Sequence, residues 1–477
     1  MKRYYLFFMI MQPLFAVSSF SDNVDLQEVY NAGLSVVSIT TVNGEVPTYE
    51  VIYPPEGCLG LSITNATKVP ARMTITRNGN VLYDSGEYVE GKSGLTMKVR
   101  GNTSAIQKKT PYKLKLQKKA DLLNRGDKCK DKNWLLINDE YFRTMVGLKV
   151  NELVGLQWTP AYEYVNFVFN GQYRGLYLLI ESVDRNTDCR LNVSKTGYIF
   201  EYDAYWWKES KRIYSQLYYC MQYTYKYPDS DDVTNEQHAY LKSVVNQFEQ
   251  SLKDGDYDNY IDVNSFATWM VGRDILGCKD SAGSNIFLTK YDNTPDTKIM
   301  MGNMWDLDSS MKKEKEGHWD GAHNQWFWGY LFGSTNKRFV TAYKRRWNEL
   351  KPTLFNQMDA YLTDFVNSEE CTALDKSLVL DRKVAGKNKN TVAEVLGSYK
   401  QWFSDRKTWL DGQISKLKGY KLGDVNCDDH VNETDLKGIV DYIMGNTPEG
   451  TFDVNNADVN QDKDVNAADV VALINLL

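Results

Sequence analysis

The stretch DVNQDKDVNAAD, Asp458–Asp469, places an oxygen-bearing side chain at nearly every second position. The stretch DVNCDDHVNETD, Asp424–Asp435, repeats the pattern earlier in the chain. Calcium is a hard cation that takes about six to eight oxygen ligands. A twelve-residue loop supplies them at positions 1, 3, 5, 7, 9 and 12, and position 7 gives a backbone carbonyl. The predicted ligands of two calcium ions are Asp424, Asn426, Asp428, His430, Asn432 and Asp435 in the first loop, and Asp458, Asn460, Asp462, Asp464, Asn466 and Asp469 in the second.

Each loop leads into a predicted helix with one apolar face. The faces are formed by Leu436, Ile439, Val440, Ile443 and Met444 in the first helix, and by Val470, Leu473, Ile474 and Leu477 in the second. A pair of ordinary acidic turns is the alternative. Two copies in register, each followed by a matching helix, favour a duplicated calcium-binding module instead.

The duplicated unit, Gly423–Leu477, resembles a type I dockerin. The resemblance implies a small all-α module that folds on calcium and docks on a cohesin-bearing partner protein. Position 6 of such loops is usually Gly, because the backbone turns sharply there, but here it is Asp429 and Lys463. A left-handed backbone costs Lys about 1 kcal/mol, so the second loop is expected to bind calcium less tightly. Positions 10 and 11 differ between the loops, Glu433-Thr434 against Ala467-Ala468, which disfavours two equivalent docking modes.

The first residues combine a basic start, a short apolar run and small residues, which predicts a secretion signal over residues 1–18. The run is shorter than the roughly 20 residues that span a bilayer, and no membrane span is predicted later in the chain. A formal net charge of -6 gives no electrostatic support for nucleic-acid binding. Seven cysteines are scattered without a CxxC pair, and mostly free, buried thiols are expected although export permits disulfides. We expect a bacterial protein that is secreted or held at the cell surface through its partner.

The rest of the chain divides into an N-terminal segment, 19–45, a body, 46–417, and a linker, 418–422, before the tail at 423–477. Short alternating segments predict strands in the first part of the body, with hairpins at Asn78-Gly79 and Asn170-Gly171. From about Asn235 the pattern becomes mostly helical. The fold class predicted is α+β, with a β-rich N-terminal part, a helical C-terminal half and a small all-α tail.

Several segments of the body together resemble the CotH family of atypical protein kinases, from about Pro47 to Leu417. They include KVRGNTSAIQKKTPYKLKL, KNWLLIND, GSNIFLTK and MGNMWDLDSSM. The resemblance implies a kinase-like core that uses ATP and Mg²⁺ to phosphorylate Ser or Thr of a protein substrate. No GxGxxG loop is present, and the nucleotide site that the resemblance suggests is of this family's kind.

Phosphoryl transfer needs a cation on the ATP phosphates, oxygen ligands for Mg²⁺ and a base for the attacking hydroxyl. Lys115 on a predicted strand is the first candidate for the cation and Lys113 the second, although strand lysines are more often only solvated. Glu181 or Glu152 is the candidate to orient the lysine, and the choice between them stays open. In RGNTS, Arg100 and the backbone amides are predicted to contact phosphates.

Asp280 precedes Asn285 by five residues, the spacing of base and metal ligand in protein kinases, but the usual His-Arg before the Asp is missing. In MWDLDSS, Asp306 is the predicted Mg²⁺ ligand and Asp308 a co-ligand or structural partner. An Asp pair at a helix start is the rival interpretation of these two carboxylates.

Two alternatives to a kinase are open. One is a non-catalytic CotH-like module that serves as a structural or carbohydrate-associated part of a cohesin-dockerin assembly in a fibre-degrading setting. The other is a glycosidase, which requires a suitable pair of acids, and only the Asp pair already discussed offers one.

Overall fold

The structure is a computed structural model, and it describes residues 24–58, 60–280, 283–312, 316 and 319–477. The predicted secretion signal, 1–18, lies outside the described residues. None of the described helices combines the length and the apolar character that crossing a membrane requires.

Strands dominate the first half of the chain. Fifteen are found among the described residues, with bounds β1 Ser35–Thr41, β2 Glu50–Ile52, β3 Ser62–Thr64, β4 Val69–Arg77, β5 Asn80–Asp84, β6 Leu95–Val99, β7 Tyr112–Ala120, β8 Asp131–Ile137, β9 Tyr162–Phe169, β10 Gln172–Glu181, β11 Tyr198–Asp203, β12 Arg212–Tyr214, β13 Gln222–Tyr227, β14 Ile286–Lys290 and β15 Ile299–Met301.

Helices dominate the second half. Those within the described ranges are α1 Leu26–Asn31, α2 Arg143–Leu153, α3 Asn235–Asp254, α4 Val263–Leu276, α5 Trp319–Asn324, α6 Trp326–Gly333, α7 Arg338–Leu350, α8 Leu354–Val366, α9 Glu369–Val384, α10 Val392–Ile414, α11 Glu433–Ile443, α12 Val454–Ala457 and α13 Ala467–Ile474. Strands first and helices later confirm the predicted α+β class.

Seven strands close into a barrel in the order β1-β9-β10-β8-β7-β6-β4, and β5 adds to β4 as a hairpin. Closure depends on β1, which pairs in parallel with β9 and antiparallel with β4. β1 thus belongs to the barrel although it lies in the segment predicted to precede the body. Along β4 every second side chain is buried, as the period of two in a strand requires. Both predicted hairpins are present, and Asn78, Gly79, Asn170 and Gly171 all have the positive φ angles that tight hairpin turns need.

A second, five-stranded antiparallel sheet has the order β12-β13-β11-β14-β15 and packs among the helices. Its inner face joins α2, α4 and α6 in one large aromatic core, in which the rings of Trp269 and Trp328 stack at 5.2 Å. The barrel interior is a separate apolar cluster that includes Met73, Trp134 and Phe167. The cleft described below lies where the barrel meets this second sheet.

The tail has its own small core, which packs α11 against α13 through Ile439 and Leu473. The segment that leads into the tail is bound to α7 of the body: the amide of Tyr420 in the linker donates to Thr341 Oγ1 at 2.7 Å, and Lys344 Nζ donates at 2.6 Å to the carbonyl of Leu417, the residue just before the linker. Lys337, just before α7, forms an ion pair with Asp429 of the first loop. The tail is therefore held against the body.

Cys129 and Cys189 form a disulfide, which their spacing in the sequence did not reveal. The other five cysteines are free thiols, and Cys58, Cys278 and Cys371 among them are buried. The expected free, buried thiols correspond to Cys58, Cys278 and Cys371, whereas Cys220 and Cys427 are partly exposed.

Candidate functional site: a carboxylate-lined cleft and two calcium loops

The β14–β15 hairpin brings two of the predicted metal ligands together. Asn285 directly precedes β14, and Asp306 follows β15 after a short extended segment. Because the two strands run antiparallel, the start of one and the end of the other lie at the same edge of the sheet. Asn285 Nδ2 donates a hydrogen bond to Asp306 Oδ2 at 3.1 Å.

These residues line a cleft with a cavity volume of about 500 Å³, within the range of ligand-binding pockets. Five of the polar lining residues were predicted from the sequence, and one of them, Arg100, belongs to the RGNTS loop before β7. The aromatic wall comes from other parts of the chain. The main lining residues are Asp280, Asn285, Asp306, Asp308, Arg100, Gly101, Asn102, Thr103, Ser104, Tyr205, Trp305 and Trp326.

Asn285 and Asp306 both have a left-handed backbone, with φ of 57° in each case. Asn and Asp tolerate this conformation better than other residues with a β-carbon, but it still costs energy, and such residues concentrate at functional sites. Asp280 is fixed differently, because its amide donates to Ser309 Oγ at 3.1 Å. Ser309 lies in the short turn that follows Asp306, so this hydrogen bond joins the two loops.

The carboxylates of the cleft repel one another. Asp306 is open to the cleft but surrounded by protein, and this loss of hydration is the main reason that its pKa rises to about 7. The charges of Asp308 and Asp280 raise it further, and Arg100 opposes them. Burial also raises the pKa of Asp308. Crowded carboxylates of this kind fit a bound cation, which would remove the repulsion.

The RGNTS loop forms the opposite side of the cleft. Gly101 has φ of 101°, and a β-carbon there would lie 2.3 Å from Ser104 Oγ, so only glycine fits. Asn102 Oδ1 accepts hydrogen bonds from Ser62 Oγ at 2.7 Å and from Lys208 Nζ at 2.8 Å. Burial lowers the pKa of Arg100, while Asp306 and Glu201 act to raise it. The loop thus presents a cation and polar groups to the carboxylates.

The predicted lysines lie on the outer face of the barrel, as the alternation of β7 indicates, and are not among the residues that line the cleft. Lys115 is exposed. Lys113 is half-buried, and its pKa is lowered by burial and by Lys98. The role of either lysine at phosphates stays a prediction.

The two glutamates have other partners. Glu181 is fully buried and forms an ion pair with Arg125 at 2.9 Å. Glu152 lies on the exposed side of α2 and pairs with Lys149 at 2.8 Å. Both ion pairs lie outside the set of residues that line the cleft.

A second set of charges near the cleft was not predicted. Lys226 on β13 forms a 2.8 Å ion pair with Glu201 on β11, and Glu201 is electrostatically coupled to both Arg100 and Asp306. Burial opposes the charge on Lys226, but Glu201 and Asp203 outweigh it and raise the pKa of the amine. This pair depends on β11 and β13 being neighbours, so no local spacing in the sequence signals it.

The two tail loops have the hydrogen bonds that hold a calcium loop in shape. In the first loop Asp424 accepts from the amides of Asp428 and Asp429, and Asp435 accepts from the amides of Val425 and Asn432. The corresponding bonds of the second loop involve Asp458, Asn460, Asp462, Lys463, Asn466 and Asp469.

The charges of the first loop converge on one space. The pKa of Asp424 is raised by burial and by the nearby charges of Asp435 and Asp428. Side-chain groups of three or more His, Cys, Asp or Glu with metal-binding geometry are not found within the described ranges. Asparagine and carbonyl oxygens complete each predicted calcium set, and this all-oxygen donor set fits calcium.

At position 6, Asp429 has φ of 73° and Lys463 φ of 77°, so both residues occupy the conformation that favours glycine.

Comparison with known proteins agrees with these two parts of the chain. The model of the CotH kinase protein family matches residues 97–410, and that of the dockerin type I domain matches residues 422–477. No curated protein gives a significant match. A crystal structure of a Helicobacter pylori proinflammatory kinase, CtkA, is similar at 11% identity and a TM-score of 0.29. The match covers 64% of this chain and 95% of that one, and nothing is inferred from so low a score. A dockerin indicates a cohesin-type protein partner. The chain belongs to the CotH kinase protein family and ends in a type I dockerin domain.

Proposed function

We propose that the CotH core transfers a phosphoryl group from ATP to a Ser or Thr hydroxyl of a protein, and that the calcium-loaded tail attaches the enzyme to a cohesin-bearing partner outside the cell. The observation that carries the first part is the meeting of Asp280, Asn285 and Asp306 in one cleft. A base, an amide oxygen and a carboxylate are the groups that phosphoryl transfer requires at its centre.

Asp306 and Asn285 would hold Mg²⁺, which prefers one or two carboxylates together with phosphate oxygens. When bound, this ion neutralises charge on the transferred phosphate. Asp308, in the same crowded group, serves as co-ligand or keeps Asp306 in place. An ion in this site would offset the repulsion by Asp308 and Asp280, which adds to burial in raising the pKa of Asp306.

Asp280 orients the substrate hydroxyl and accepts its proton. It is exposed at the mouth of the cleft, and the hydrogen bond from its amide to Ser309 fixes its backbone relative to Asp306. Arg100 lines the cleft, and Lys208 donates to Asn102 of the RGNTS loop beside it; both cations would bind phosphate oxygens. Lys226, held by Glu201, is a third cation close to this group.

The experiment is a titration of the full chain with ATP in the presence and absence of Mg²⁺, by calorimetry. The wild-type chain is expected to bind ATP only with Mg²⁺, and Asp306→Asn to weaken binding at least about tenfold, which corresponds to about 1.4 kcal/mol. Asp280→Asn should retain binding and lose phosphorylation of a protein substrate.

Asp296→Asn is the matched control, because Asp296 is an exposed carboxylate at the opposite end of the same β14–β15 hairpin. It should bind as the wild type does. If the wild-type chain binds no ATP with Mg²⁺, the kinase proposal fails, and the core is a non-catalytic module that the tail attaches to its assembly.

A further inference from the structure

Two thiols from distant parts of the chain meet beside the cleft. Cys58 lies between β2 and β3, and Cys220 lies between β12 and β13 of the second sheet. The Cys220 thiol donates to the carbonyl of Gly57 at 2.8 Å, which places it beside the residue next to Gly57, Cys58, and Cys220 is near enough to raise the pKa of the Cys58 thiol. Cysteines brought together in this way are candidates for a disulfide, which joins Cα atoms about 4.4–6.8 Å apart.

We propose that Cys58 and Cys220 form a disulfide in the exported protein, which links the β2–β3 segment to the second sheet at the rim of the cleft. The Cys129–Cys189 disulfide, already present in the structure, requires the same oxidising environment. This inference concerns the fold and holds whether or not the core transfers phosphate.

The reaction needs a two-electron oxidant, and a low-molecular-weight disulfide such as oxidised glutathione supplies it. Cys220 is partly exposed, whereas Cys58 is buried and its pKa is raised to about 11 by burial and by Cys220. Because Cys220 is the thiol that the oxidant can reach, its thiolate attacks first, which releases one glutathione thiolate and leaves a mixed disulfide. Cys58 then gives up its proton to solvent and attacks Cys220 Sγ, which forms the protein S–S bond and releases the second glutathione.

The cross-link would secure a segment that contacts both sides of the cleft. On the barrel side, Ser62 Oγ donates to Asn102 of the RGNTS loop at 2.7 Å. On the side of the second sheet, Gly60 packs against the ring of Tyr205 so closely that a β-carbon there would lie 2.8 Å from it. Asn102 and Tyr205 both line the cleft, so the disulfide would fix the distance between its two walls.

The test is peptide mapping of the full chain without reduction, after equilibration with oxidised glutathione and then blocking of the remaining thiols with a maleimide in denaturant, so that buried thiols also react. The expected result is a cross-linked Cys58–Cys220 peptide and three labelled cysteines, Cys278, Cys371 and Cys427. Labelling of five cysteines would overturn the proposal, provided that the Cys129–Cys189 peptide appears in the same digest and shows that oxidising conditions were reached.

The variant Cys58→Ser gives a second readout. It should expose the Cys220 thiol to the maleimide and speed proteolytic cleavage between β2 and β3 at least about threefold. Cys371→Ser, which removes a buried thiol in α9 far from this segment, should leave both the cross-link and the cleavage rate unchanged. Equal cleavage rates for the wild-type chain and Cys58→Ser would contradict the proposed link.

Discussion

Replacement of Lys463 by glycine is predicted to tighten calcium binding at the second loop. Lys463 occupies position 6 with φ of 77°, and its amide donates to Asp458 Oδ2 at 3.0 Å, so the conformation is part of the loop's hydrogen bonding. A left-handed backbone costs a residue with a β-carbon about 1–2 kcal/mol, and glycine avoids this cost. Because the loop is expected to order only around the ion, the strain opposes binding. Relief of about 1 kcal/mol lowers the dissociation constant about fivefold.

The assay is calorimetric titration of the chelator-treated full chain with calcium, with the two loops resolved as separate binding events. Lys463→Ala is the control for charge, because alanine removes the amine but keeps the steric cost of a positive φ. Lys463→Gly should bind several-fold more tightly than Lys463→Ala. If the two variants have the same affinity, backbone strain does not weaken this loop, and any gain over the wild-type chain comes from the lost positive charge.

Three further outcomes are expected. Lys226→Ala should weaken Mg²⁺-dependent ATP binding about tenfold. Lys115→Ala, on the exposed face of β7, should change this affinity less than about twofold. If both variants lose the same affinity for ATP, Lys226 has no specific place in the proposed site. Burial raises the pKa of Asp139 to about 6, so folding takes up a proton and this residue's contribution to stability falls as the pH rises from about 4 to about 6. Asp139→Asn should therefore flatten the pH dependence of the unfolding free energy there by at most about 3 kcal/mol, measured by denaturant titration. Lys337→Ala breaks a partly exposed ion pair with Asp429, worth about 0.5 kcal/mol, and should roughly double the rate of tryptic cleavage in the linker, whereas Lys337→Arg should not.

Local spacing predicted the parts of this molecule that depend on local chemistry. The calcium loops are twelve-residue units, so their ligands, their strained sixth position and their helices all follow from nearby residues. Asp280, Asn285 and Asp306 were also proposed from the sequence, through the five-residue spacing of the first two and the family resemblance of the segment that contains Asp306, and a single hairpin separates the two loops that carry them.

Contacts between strands that are far apart in the sequence could not be predicted from local spacing. The ion pair of Lys226 with Glu201 exists because β13 lies beside β11, and the barrel closes because β1 pairs with β9. The alternation of β7 showed correctly which face Lys115 occupies, but it carried no information about what packs on that face.

The contacts between the linker and α7 limit how far the body can move relative to the tail. A long flexible linker lets a tethered domain sample a wide volume, and its effective concentration then falls as the linker lengthens. Here Thr341 accepts a hydrogen bond from Tyr420 in the linker, and Lys344 donates one to Leu417 just before it. These contacts leave little freedom for the tail to move relative to the body. A partner that binds the tail would therefore also fix the direction in which the cleft of the body opens.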